Sequence, residues 1–183
     1  GERQGSRAQV IEPIVLKFDN CKVPAENVIG KEGEAFHLGA KWLAPRRIAR
    51  SARCVGAAER LMEISKEYAQ NWQTFKRLIK DKPSVQRCLA DTAIEIRAAR
   101  LMVYEAACKA DAEENVQIDS AMVKVFATDM LDRTADRVTR LYGGPGYTTS
   151  VPLARLCRNA VASSASDEAL ELQRTIIAKN ILK

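Results

Sequence analysis

The sequence predicts an all-α chain, an up-down four-helix bundle preceded by a short strand or extended arm. Three observations predict it. The nine glycines fall at positions 1, 5, 30, 33, 39, 56, 143, 144 and 146, so none stands between Gly56 and Gly143, whereas an all-β chain needs turns far more often. Apolar residues after about Glu34 recur at spacings of three and four, the period of one helix face. The composition, 46% apolar and 28% charged over 183 residues, is that of an ordered protein large enough to bury a core.

In chain order, the segment VIEPIVLKFDNCKVPAENVIG (10–30) stands apart. Val15, Leu16, Phe18 and Val23 favour strands, Pro13 and Pro24 break helices, and Asp19-Asn20 is a turn signal. One or two strands or an extended arm are expected, too little for a sheet alone. Residues 1–32 are therefore read as an arm and 33–183 as the bundle, the whole being a piece of a larger protein.

The first helix buries Cys54, Ala57, Leu61, Ile64 and Tyr68, and the second Val85, Leu89, Ile96, Ala99, Val103 and Ala106. A break is placed at DAEENVQID (111–119), whose final Asp caps a third helix carrying Met122, Phe126, Ala135, Val138 and Tyr142. LYGGPGYTTSVP stops that helix. A short helix follows Pro152 through Arg158, and a last helix from about Asp167 buries Leu172, Ile176 and Ile181. Short connections between long helices give the bundle.

Some chemistry is excluded or weakened by composition. No run approaches the roughly 20 apolar residues of a membrane helix, and the first residues lack a signal-peptide core, so a soluble, unexported chain is expected. Five cysteines with no C-x-x-C pair predict neither a disulfide framework nor a zinc site; they are expected to be reduced, buried and inert. His37 is the only histidine, which leaves no multi-histidine metal site or histidine-based triad visible in this chain.

Two features remain open on residue chemistry alone, and two read as ordinary helix ends. Gly143-Gly144-Pro145-Gly146-Tyr147 is either a helix-stopping loop or a nucleotide-contacting one; glycine admits close approach, but the loop follows a helix C-terminus, the wrong pole for an anion. Arg46, Arg47, Arg50 and Arg53 form a basic stripe that suits a solvated or intersubunit face, an acidic small molecule or nucleic acid, the last without interleaved aromatics. Lys76, Arg77, Lys80 and Lys82 are read as cations at a helix end, and Ser166 or Asp167 as an ordinary N-cap of the last helix.

Several segments together resemble the C-terminal domain of the acyl-CoA dehydrogenases. These are Phe18, Val23, Pro24, Asn27 and Gly30; the helix RIARSARCVGAAE (47–59); Tyr68-Ala69 followed by Phe75; Val85 to Asp91; GGPGY (143–147); and ELQR (171–174). Their order and spacing run over about residues 15–183, and the arm resembles the last piece of that family's middle β domain.

The resemblance implies a flavoprotein that removes a Cα proton and a Cβ hydride from an acyl-CoA, with FAD as cofactor and an electron-transferring flavoprotein as acceptor. Counting back from Gln173-Arg174 places Asp167 at the position of the family's catalytic base, as in Asp-using branches that include the nitroalkane oxidases. The family's second base location falls on Arg46, which closes it. Arg47 matches the arginine that supports base and substrate. On the cofactor side, the family's pyrophosphate arginine falls on Trp72, its aromatic partner is Phe75, its adenosine-contacting glutamine falls on Arg140, and Gly143 and Gly144 begin the loop beside the adenine end. Glu168-Ala169 replace the Gly-Thr that usually follows the base. The resemblance further implies a homodimer or homotetramer in the cytoplasm, or in the mitochondrial matrix of a eukaryote, without nucleic-acid or membrane binding. A non-catalytic, FAD-deficient subunit or a relative with other chemistry, such as nitroalkane oxidation, is the alternative.

Overall fold

Among the described residues, five α-helices and one minimal hairpin make up the regular structure. The computed structural model describes residues 15–148, 153–165 and 169–182. Helix α1 is Ala35–Asn71, β1 Gln73–Thr74, β2 Arg77–Leu78, α2 Pro83–Asp111, α3 Gln117–Tyr142, α4 Leu153–Ala165 and α5 Leu170–Ile181, with 3-10 turns at Ala25–Asn27, Ile79–Asp81 and Gly144–Tyr147.

The arm forms no strand over its described residues 15–34. It is extended, bends at Asp19-Asn20 with Asn20 at φ 48°, and carries one 3-10 turn. Val15, Leu16, Phe18 and Ile29 are all exposed; a strand needs a ladder partner, and none is among the arm's described residues. Gly30 sits at φ +78°, where alanine would be strained whatever the space around it.

The bundle is built around α3, which packs on α2, α4 and α5. Side chains show that α2 and α3 run antiparallel: Glu95 meets Arg133 and Arg137, while Lys109 meets Asp119. Alanines let the helices approach closely, with Ala58, Ala99, Ala106, Ala127 and Ala160 fully buried among Leu61, Met130, Leu131 and Leu153. Each such leucine contributes about 2 kcal/mol by leaving water. Three buried hydroxyls are satisfied locally: Ser51, Ser65 and Thr92 donate to the carbonyls of Arg47, Leu61 and Cys88 four residues back.

Four local expectations are corrected. Between α1 and α2 the chain makes a two-residue antiparallel ladder, so Lys76 and Arg77 lie on a hairpin and Lys82 precedes the N-terminus of α2 rather than following a helix. Helix α3 has Val116 at its N-cap, and Asp119 sits in its first turn, where its carboxylate accepts from Lys109 at 2.7 Å instead of capping. Helix α4 runs past Arg158 to Ala165. Helix α5 buries Leu170 and Gln173, while Leu172 and Ile181 are exposed; the face turned inward is set by packing on α3 and not by hydropathy alone. Its N-cap is Ala169. Ser166 lies outside the described residues.

The cysteines are free, but only Cys54 is buried; Cys21 and Cys108 are exposed. The basic stripe is also not one solvated face. Arg47 is 5% exposed, whereas Arg46 stacks its guanidinium 4.6 Å from the centre of the exposed Trp42 ring.

Candidate functional site

At one end of the bundle, α1 and α3 finish side by side. Tyr68 and Trp72 are four residues apart and fall on the same side of α1's end; their rings stack at 5.4 Å. Tyr142, in the last turn of α3, also stacks on Tyr68, at 4.0 Å. The Tyr142 hydroxyl donates to the Ile64 carbonyl at 2.9 Å. Burial pushes the Tyr142 phenol up, helped by Tyr68 and Glu67, and burial alone does the same for Tyr68, so both rings are neutral at physiological pH.

Gly143 then ends α3 at φ 64°, its N–H donating to Thr139 O at 3.2 Å. This is the left-handed exit that glycine permits. Where a Cβ would stand on Gly143 or Gly144 there is open space, whereas one on Gly146 would meet Thr139 O at 2.9 Å. The loop is therefore anchored through Gly146 and leaves the Gly143-Gly144 backbone bare. Tyr142 and Pro145, on either side of that pair, line a cleft of about 470 Å³ together with Glu67, Tyr68, Asn71 and Trp72.

The sequence-predicted site residues divide between places. Trp72 and the flanks of Gly143-Gly144 share this cleft. Phe75 lies at the tip of the hairpin, 98% exposed, with both Phe75 and Lys76 at positive φ, the two-residue turn that matches strand twist. Arg140 lines a different cavity of about 320 Å³ beside Val85, Cys88 and Arg137. Its Nε is held by both Asp136 oxygens at 2.9 Å. Arg47 lies buried on α1, and Asp167 lies outside the described residues. Tyr68 and Tyr142 read as core residues in sequence; the signal for a cleft was the pairing of a four-residue aromatic spacing with an aromatic directly before the glycine loop.

A second polar group lies within the bundle. Burial pushes the Cys54 thiol up against the opposing effects of Ser163, Thr128 and Arg50. Burial, with Asp129 beside it, likewise raises the Asp132 carboxyl. Arg174, in the ELQR segment, donates to Asp129 at 2.7 Å, which ties α5 to α3. Among the described residues no group of three His, Cys, Asp or Glu side chains is arranged to hold a metal.

Residues 36–182 match the family model described as acyl-CoA dehydrogenase, C-terminal domain. The chain is 36% identical over 167 residues to an acyl-CoA dehydrogenase of Bacillus subtilis (strain 168), covering 91% of this chain and 44% of that protein. It is 34% identical over 186 residues to the (R)-benzylsuccinyl-CoA dehydrogenase of Thauera aromatica, covering all of this chain and 46% of that protein. The structure of butyryl-CoA dehydrogenase from Megasphaera elsdenii superposes with a TM-score of 0.88 at 32% identity, over 91% of this chain and 43% of that one. The chain thus spans less than half the length of these relatives.

Proposed function

Because this chain belongs to the acyl-CoA dehydrogenase family, whose C-terminal domain it matches over residues 36–182, we propose that it is the helical half of an FAD-dependent enzyme that oxidises an acyl-CoA thioester between Cα and Cβ. Residues 1–32 are the tail of the preceding β domain on this reading. The observation that carries the proposal is the meeting of Trp72 with Tyr142 and Pro145, the residues flanking the open Gly143-Gly144 pair, around one cleft.

The residues present fit a flavin dinucleotide. The bare glycine backbone admits close approach of a ligand, the half-exposed Trp72 ring gives a flat apolar face, and Phe75 projects from the hairpin tip. These residues and Arg140 hold the cofactor in this proposal, with Arg140 leaving Asp136 to do so. When bound, FAD supplies the acceptor for the Cβ hydride.

Asp167 supplies the base. The thioester acidifies the Cα–H, and the Asp167 carboxylate takes that proton at one of its oxygens. Being one methylene shorter than Glu, it needs the substrate or its own backbone closer. Arg47 supports the substrate end. Burial strengthens a charge–charge or charge–dipole contact made there.

The partners proposed are an acyl-CoA, an electron-transferring flavoprotein and further copies of the chain in a homodimer or homotetramer. Ile94, Leu101 and Tyr104 support self-association: they stand 67%, 58% and 61% exposed on α2, spaced along one face. No helix among the described residues is long and apolar enough to cross a membrane, and the bacterial relatives support a cytoplasmic setting.

A second reading, a family subunit without its own flavin, is favoured by the tie of Arg140 to Asp136 and the uncharged Trp72. Purification of the full-length protein decides between the two. Yellow protein whose flavin bleaches on addition of an acyl-CoA supports the enzyme; colourless protein that gains flavin only with a second gene product supports the subunit.

A further inference from the structure

Inside the bundle, away from the cleft, a group of polar side chains faces inward with two of its oxygens unanswered. We infer that Thr128, Asp132 and Cys54 form a binding site for one internal water molecule, which bridges α3 to α1.

Three helices make the site. Thr128 and Asp132 stand one turn apart on the same face of α3. Both reach the Cys54 thiol of α1, as does Ser163 of α4. The place is closed to solvent, with Thr128 1% exposed and Cys54 2%. Thr128 Oγ1 and Asp132 Oδ1 are nevertheless buried without a hydrogen-bond partner in the protein. The Thr128 hydroxyl lies close enough to Cys54 to act on its thiol, but it does not complete a hydrogen bond.

This departs from how the fold treats its other buried hydroxyls. Ser51, Ser65 and Thr92 each donate to a carbonyl four residues back. Thr128 does not, and a buried carboxylate oxygen left bare beside it carries a desolvation penalty that nothing in the chain offsets. Two such atoms, one turn apart and facing a thiol, call for a shared partner.

The chemistry of the three groups selects water. An ionised carboxylate oxygen only accepts, a hydroxyl both donates and accepts, and a thiol sulfur accepts weakly. One water satisfies all three: its oxygen accepts the Thr128 hydroxyl hydrogen, one of its hydrogens goes to Asp132 Oδ1 and the other to Cys54 Sγ. That is about three hydrogen bonds, the usual number for a buried water. A metal cation is disfavoured, because two hard oxygens are too few ligands and the charges of Arg50 and Arg133 already reach this place. Burial and the neighbouring Asp129 raise the Asp132 carboxyl, with Arg133 opposing them; the hydrogen donated by the water works in the same direction as Arg133. Cys54 lies two turns beyond Arg47 on α1, so the bridge pins the stretch of helix that follows that arginine.

A high-resolution crystal structure of the full-length protein tests the site. It is expected to show an ordered water within hydrogen-bonding distance of both Thr128 Oγ1 and Asp132 Oδ1. Thr128→Val keeps the shape of the side chain and deletes the hydroxyl, so it is expected to lose that water, whereas Thr128→Ser keeps it. Without the bridge the α1 to α3 packing opens more readily, and labelling of Cys54 by a thiol reagent is expected to quicken about tenfold in Thr128→Val and to stay near the wild-type rate in Thr128→Ser. The inference is overturned by a direct hydrogen bond between Thr128 and Asp132 in the wild-type density, by no density between them, or by a metal ion there, identified by anomalous scattering. Unchanged Cys54 labelling in Thr128→Val overturns it too. Should Thr128→Val fail to fold, the wild-type density and Thr128→Ser still decide.

Discussion

Tyr68 and Tyr142 stack with their ring centroids 4.0 Å apart, which fastens the last turn of α3 to the end of α1 and fixes where the glycine loop leaves the bundle. The hydroxyl of Tyr142 adds a hydrogen bond to Ile64 O at 2.9 Å. Tyr142→Phe keeps the stack and loses that bond, at a cost of about 1 kcal/mol. Tyr142→Ala loses both and costs about 3 to 5 kcal/mol. Urea unfolding midpoints measure the difference; equal stability of the two variants would mean that the ring stack contributes nothing.

Glu95 joins α2 to α3 by accepting from Arg137 at 2.9 and 3.0 Å and from Arg133 at 3.1 and 3.2 Å. Partial burial raises its carboxyl, but the hydrogen bonds and charges of the two arginines outweigh this and hold it below the usual value. A carboxylate depressed in the folded state stabilises above its unfolded pKa and loses that contribution as pH falls through its folded value. Glu95→Gln therefore costs about 1 to 2 kcal/mol at neutral pH, discounted for solvent access. The gap to wild type closes under acid. A gap that persists unchanged at low pH contradicts the ion-pair assignment.

The thiols differ in access. Cys21 and Cys108 are exposed and Cys54 is buried, with burial raising its thiol. In native protein a thiol reagent modifies Cys21 and Cys108 first, while Cys54 reacts only on unfolding. Peptide mapping after brief labelling checks this, and early modification of Cys54 would show that the α1 to α3 packing opens readily.

Self-association through α2 predicts that Leu101→Arg lowers the oligomeric state seen by sedimentation without unfolding the helices. Leu101 is 58% exposed, so the substitution disturbs little packing within the chain. An unchanged assembly would remove this face from the interface.

The long helices were legible because their apolar residues keep a spacing of three and four through α1, α2 and α3. Ile96, Ala99, Val103 and Ala106 are all buried. The hairpin was not legible: its ladder is two residues long on each side, and its turn places Phe75 and Lys76 at positive φ without the Gly or Asn that marks such turns. The inward face of α5 was misread because Gln173 is buried there while Leu172 stays exposed, an outcome set by what α3 presents. Of the site, the glycine loop was legible from its residues with two readings open and Trp72 came from the family resemblance; neither showed that Tyr68 and Tyr142 join Trp72 and Pro145 in one cleft. Arg140 followed from alignment alone, and its pairing with Asp136 one helical turn away became visible only in three dimensions.

In the proposed function Asp167 takes the α proton of an acyl-CoA in a flavoprotein. In the full-length protein, acyl-CoA binding and the rate of flavin bleaching are measured together for wild type and Asp167→Asn. Asp167→Asn is expected to lose at least about a hundredfold in the bleaching rate with acyl-CoA affinity changed less than about threefold. Bleaching at the wild-type rate in Asp167→Asn would contradict it.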